Sequence, residues 1–140
     1  MTDHTGPLPP PSDKRPKAWT RRLVLFLRIM AAVSMAKGLY HWSLVLGMGD
    51  GKGSTFEQAS MPWQAATIFF AVIDLVAAVG LWLAAAWGGV VWLTASISMA
   101  AIEIAFPQVY GGRLWIAIPE FIAIAIYIAL ALMAGRERPD

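Results

Sequence analysis

The chain has 140 residues, 58% of them hydrophobic and 14% charged, with seven Trp and a mean hydropathy of +0.58, which lies outside the range of soluble globular proteins. Cysteine is absent, which excludes thiolate nucleophiles, disulfide exchange, Cys-ligated zinc and iron–sulfur clusters. The formal charge of +2 is small and its basic residues crowd beside the first apolar segment, so they point to membrane orientation and anionic lipid, not to nucleic acid.

Met1 to Ala18 is rich in Pro, Asp, Lys and Thr, with Pro7, Pro9, Pro10 and Pro11 close together. It has little apolar surface to bury and is expected to be a disordered arm. Arg21 and Arg22 then precede an apolar stretch, and Ser34-Met35-Ala36 imitates a signal-peptide cleavage pattern. Arg28 interrupts the would-be signal core and the stretch continues to Leu46, which is the length of a membrane span.

Span one is predicted from about Leu23 to Leu46, span two from about Trp63 to Ala86, span three from about Gly89 to Phe106 and span four from about Leu114 to Ala134. At 1.5 Å per residue each crosses roughly 25 to 35 Å. The Gly-rich stretch from Gly47 to Thr55 resembles a phosphate loop only superficially, because it lacks the Gly-Lys-Ser/Thr ending and a preceding strand. Ser60-Met61-Pro62-Trp63 reads as a Pro-started helix. Trp87-Gly88-Gly89 is expected to join spans two and three, and Pro107 to Arg113 to join spans three and four, so both pairs are antiparallel neighbours. The fold class is therefore all-α, an integral membrane four-helix bundle of up-down topology.

Seven Lys and Arg flank the terminal ends (Lys14, Arg15, Lys17, Arg21, Arg22, Arg136, Arg138), against Lys52 and Arg113 in the two loops opposite. That asymmetry puts both termini, and the short tail after residue 135, in the cytoplasm of a bacterial inner membrane. Trp19, Trp87 and Trp92 fall into one aromatic belt, and Trp42, Trp63, Tyr110 and Trp115 into the other.

Each span carries an ionisable group, and such groups are functional hypotheses by default. With the span midpoints taken as the bilayer centre, Asp74 lies at the midplane, and Lys37, Glu120, Glu103 and His41 lie roughly 4 to 10 Å outward of it. Arg28 lies roughly 10 Å on the cytoplasmic side, where it snorkels to the inner headgroups. Lys37 and His41 share a face with Ser34 and Leu44. Asp74 shares one with Thr67, Phe70, Ala71, Ala77, Ala78 and Leu81, Glu103 with Ser96, Met99 and Ala100, and Glu120 with Ala123, Tyr127 and Ala131. Pro119 removes a backbone hydrogen bond one turn before it. If the faces converge, one lysine meets three carboxylates with an imidazole nearby, and a shared proton is expected. The bland reading is that these groups staple the helices, at about 0.6 to 2 kcal/mol per contact.

Several chemistries fail on the residues. Only His41 lies in a span, so one chain makes no bis-histidine haem site. No Glu-x-x-His pair supports a di-metal bundle, and no Gly-x-Ser-x-Gly places a nucleophile. No enzyme, metal or cofactor role is expected. What remains is a non-catalytic accessory or interaction subunit of a membrane complex or, alternatively, a small proton- or cation-coupled transporter acting as an oligomer. Ala32/Ala36, Ser96/Ala100 and Ala125/Ala129 offer small-residue faces for packing. The expected partners are the lipid bilayer and either another protein or further copies of the chain.

The stretch from Arg28 to Trp42 (RIMAAVSMAKGLYHW), with Trp87-Gly88-Gly89-Val90-Val91-Trp92 and Glu103, resembles a family of small bacterial four-span inner-membrane proteins classed as a domain of unknown function. The resemblance spans about Trp19 to Ala134 and implies fold and location without an activity. The Arg28 to Leu39 pattern is similar to DoxX-type four-span proteins, some of which accompany quinone-linked oxidoreductases, implying an accessory role of that kind as a further alternative. Small multidrug transporters also have four spans, but their key Glu lies in the first, where this chain has Lys37.

Overall fold

A computed structural model describes residues 18–48, 55–110 and 114–137. The expected Pro-rich arm up to residue 17, most of the Gly-rich stretch (49–54) with Lys52, residues 111–113 with Arg113, and the end of the tail lie outside the described residues. The elements are α1 (Ala18–Val45), α2 (Thr55–Gln58), α3 (Met61–Trp82), α4 (Ala86–Ala105), α5 (Pro107–Tyr110) and α6 (Leu114–Arg136). The four longer helices are long and apolar enough to cross a membrane, and the described residues contain no strand. The fold is the all-α membrane bundle that hydropathy predicts.

The apolar and small-residue stripes decide how the helices meet. On α3 the stripe Thr67, Phe70, Ala71, Asp74, Ala77, Ala78 and Leu81 is buried, the face read from the helical period. α1 lies along α3, α3 against α4, and α6 closes the ring by touching both α1 and α4. Two glycines let α3 and α4 approach closely. A Cβ on Gly80 would stand 2.5 Å from Gly88 Cα, and one on Gly88 would collide with the Gly80 backbone.

That contact corrects the predicted link at Trp87-Gly88-Gly89. α3 stops at Trp82, the turn takes Leu83 to Ala85, and both glycines lie inside α4. The turn is a Schellman cap: the Ala85 N–H donates to Gly80 O at 3.0 Å, the Ala84 N–H donates to Leu81 O at 2.9 Å, and Ala84 has φ 50°. α1 ends by the same device at Gly47 (φ 65°), with the Met48 N–H donating to Ser43 O at 2.9 Å.

Trp92 also departs from expectation. It is only 2% exposed and sits in the core with Leu27, Ala31, Ala77 and Leu81, so it is no part of an aromatic belt. Phe26 and Tyr127 meet its ring edge-on at 6.3 and 5.6 Å between centroids.

At the terminal end α1 runs past α3. Arg28 stands beside Trp82, the last residue of α3, so the ten residues from Ala18 onward continue roughly 15 Å further. The end of α6 accompanies them. Glu137 accepts hydrogen bonds from the backbone N–H groups of Trp19 and Thr20, both at 3.1 Å, and from the Thr20 hydroxyl at 3.3 Å. An acidic side chain from the other end of the chain thus caps α1, whose own first turn holds no acid. The helical residues ahead of the apolar run at Leu23 are thus held by a contact from α6's end.

Candidate functional site

The opposite end of the bundle holds the polar groups. α1 brings Lys37 and His41 one turn apart on its inner face, with Ser34 a turn earlier and also buried. α6 brings Glu120, and Lys37 Nζ donates to its Oε1 at 2.5 Å, a direct ion pair between two half-buried side chains. Pro119 sits inside α6, so the Trp115 carbonyl loses its helical donor immediately before the ion-pairing residue.

His41 is 5% exposed and Asp74 is 1% exposed. The imidazole Nδ1 donates to the Lys37 carbonyl at 2.9 Å, which in the neutral ring leaves Nε2 as the acceptor nitrogen. The same Nδ1 lies 3.9 Å from Asp74 Oδ2, and the ring tilts over Phe70 at 5.7 Å between centroids. Asp74 Oδ2 and Ser96 Oγ are buried and meet no donor or acceptor of the described chain within hydrogen-bond distance. The Thr67 hydroxyl, at the same end, donates to Trp63 O at 2.8 Å.

The same end holds a pocket of about 500 Å³ to which all four long helices contribute. Lys37, Tyr40, His41 and Leu44 line it from α1, Trp63 from α3, Met99 and Glu103 from α4, and Trp115, Pro119 and Glu120 from α6. Glu103 is 2% exposed and forms one wall. Tyr40 and Trp115 are exposed at the rim. The result is an aromatic cup with an ion pair, an imidazole and a further carboxyl in its lining.

Four of the five residues expected to cluster (Lys37, His41, Glu103 and Glu120) line this pocket, and Asp74 lies behind His41, outside the lining. Lys37 takes Glu120 as its partner, whereas the group beside Asp74 is His41. Arg28 is at the other end, exposed, with its guanidinium 5.8 Å from the Trp82 ring centroid. The sequence reading missed Tyr40 and treated Trp63 and Trp115 only as belt residues. The signal for them was spacing: Tyr40 precedes His41, and Trp115 is one turn before Pro119.

Such a pocket can hold a molecule with both apolar and polar parts, or a side chain of a partner. Among the described residues no three His, Asp or Glu side chains approach closely enough to hold a metal ion. The sequence model of a family of unknown function (DUF6163) matches residues 21–138. No curated protein and no solved structure matches the chain.

Proposed function

We propose that this chain, which belongs to that family of unknown function, is a non-catalytic subunit of a bacterial inner-membrane complex that engages its partner at the pocketed end of the bundle. The observation that carries the reading is the pocket itself: four helices converge on an amphipathic cup whose rim presents Tyr40 and Trp115. Beside it, Leu46, Met48 and Met61 are also exposed at that end. Aromatic residues and Met are the types enriched at the centre of protein interfaces, and the partly exposed Lys37–Glu120 pair offers a directional contact within the apolar surround. In this reading the excess of Lys and Arg beside the termini holds both in the cytoplasm, and the pocket opens toward the outer leaflet.

Native purification of the full chain followed by identification of co-purifying proteins tests this. A partner at fixed stoichiometry is expected, and Trp115→Ala or Tyr40→Ala should weaken its retention about tenfold or more, as loss of a central aromatic does. A homo-oligomer with no other protein would overturn the proposal.

One observation favours a second reading, a small proton-coupled transporter. Asp74 is enclosed at mid-helix, 3.9 Å from an imidazole, with a carboxyl oxygen that no donor of the described chain reaches. Intramembrane carboxylates are a usual means of binding a coupling ion. Asp74→Asn separates the two readings: a transporter loses transport while still inserting, whereas a subunit keeps its partner and changes only in stability.

A further inference from the structure

A second cavity lies toward the terminal end, on the outer surface of the α1–α3 seam, and shares no lining residue with the polar pocket. It is an apolar groove of about 370 Å³ lined by Ala31, Ala32 and Met35 of α1, by Ala78, Val79 and Trp82 of α3, and by Leu83 of the following turn. The alanines keep it open, because a longer side chain at Ala32 or Ala78 would fill it. Arg28 precedes Ala32 by one turn, and its guanidinium reaches the Trp82 ring at the mouth of the groove. Among the described residues Arg28 meets no carboxylate, and Arg21, two turns earlier on the same face, is exposed as well.

An apolar furrow running along a membrane helix and ending at a guanidinium that meets no carboxylate among the described residues is complementary to one class of molecule. The furrow accepts a hydrocarbon chain, and the mouth accepts an anion bidentately. Arg28 stands beside Trp82, where α3 ends, so an anion held there and a hydrocarbon chain in the furrow can belong to the same molecule. From this charge complementarity we propose that the groove is a specific site for an anionic phospholipid, with one acyl chain against Ala31, Ala32, Ala78 and Val79 and the phosphate on Arg28. The site explains a cation within an apolar helix face without asking it to bend toward distant headgroups. It also seals the α1–α3 seam, where α1 continues past the end of α3.

The test uses the full chain in detergent micelles supplied with equimolar phosphatidylglycerol and phosphatidylcholine, with retained lipid read by native mass spectrometry. Wild-type protein is expected to keep one phosphatidylglycerol with at least about fivefold preference, the worth of one Arg at a membrane surface. Arg28→Gln should bring that preference close to one with helical content unchanged, since the side chain is exposed. Ala32→Trp, which fills the groove, should reduce retention of both lipids. Arg22→Gln should leave the preference intact, because Arg22 stacks on Trp19, 4.6 Å from its ring, away from the groove. Equal retention of the two lipids by wild type, or an unchanged preference in Arg28→Gln, would overturn the proposal. Full competition by glycerol phosphate would do the same, since it would show a headgroup site without the groove. A dimer abolished by Ala32→Trp, with no lipid kept, would assign the groove to a second copy of the chain.

Discussion

At the scale of single residues, the charges in this chain are disposed of locally and differently. Lys37 is matched by Glu120 in direct contact, so the pair stabilises the meeting of α1 and α6 while one partner keeps the other from standing unpaired in an apolar surround. Lys37→Met is therefore expected to lower stability by about 1 to 2 kcal/mol, and the double replacement Lys37→Met with Glu120→Leu by less than the sum of the singles. Unfolding of the four proteins in a mixed-micelle denaturant series reads this coupling, and strict additivity would mean that the contact contributes nothing. Glu137 acts at the other end, where its carboxylate receives two first-turn N–H groups of α1. Glu137→Ala should cost about 0.5 to 2 kcal/mol and free the amide hydrogens of Trp19 and Thr20 to exchange. Glu137→Gln, which keeps an acceptor and loses the charge, should fall between. Hydrogen exchange confined to the first turn of α1 checks both variants.

At the scale of elements, the α3–α4 hairpin depends on two unusual positions. Gly80 and Gly88 touch backbone to backbone, so Gly80→Ala must push the helices apart and should cost about 1 to 3 kcal/mol. Gly89→Ala should cost less, because its added methyl meets only the Tyr127 hydroxyl, the far end of a side chain that can turn aside. Ala84 holds the left-handed cap position that glycine usually fills, so Ala84→Gly is expected to stabilise the protein by about 1 kcal/mol, and thermal melts of the three variants would rank them. These positions mark where sequence reading stops. The buried stripe from Thr67 to Leu81 was legible because a helix repeats every 3.6 residues and the small side chains keep that period. Gly88 and Gly89 were not, since a missing Cβ serves a turn and a close contact equally well, and here Gly88 meets the Gly80 backbone, Gly89 faces Tyr127 and alanine took the turn. Trp92 is ambiguous for a related reason: indole suits a membrane interface and a packed core alike, and its edge-on contacts with Phe26 and Tyr127 come from helices far away in the chain. The polar pocket was legible as a set of inward faces. Lys37's choice of Glu120 was not, because it depends on the register between α1 and α6, which no single helix encodes.

At the scale of the whole molecule, the cap of Glu137 on α1 brings the described beginning and end of the chain to one end of the bundle, and the polar pocket occupies the other. The distribution of basic residues predicts which end faces which side. Arg21, Arg22, Arg28 and Arg136 all belong to the terminal end, and a positively charged end is retained on the cytoplasmic side during insertion. Because the chain has no cysteine, this orientation can be read with single introduced thiols and no background. Met61→Cys, exposed where α3 begins, should react in intact cells with a membrane-impermeant maleimide, whereas Arg136→Cys should react only after the membrane is opened. Labelling in the reverse order would invert the bundle. That inversion would also move the proposed lipid groove to the outer leaflet, where anionic headgroups are scarcer in many membranes, and would turn the pocket toward the cytoplasm. A single labelling pair therefore bears on both sites at once, because the same helix offset that exposes Arg28 beside Trp82 at one end leaves Lys37, His41, Glu103 and Glu120 gathered at the other.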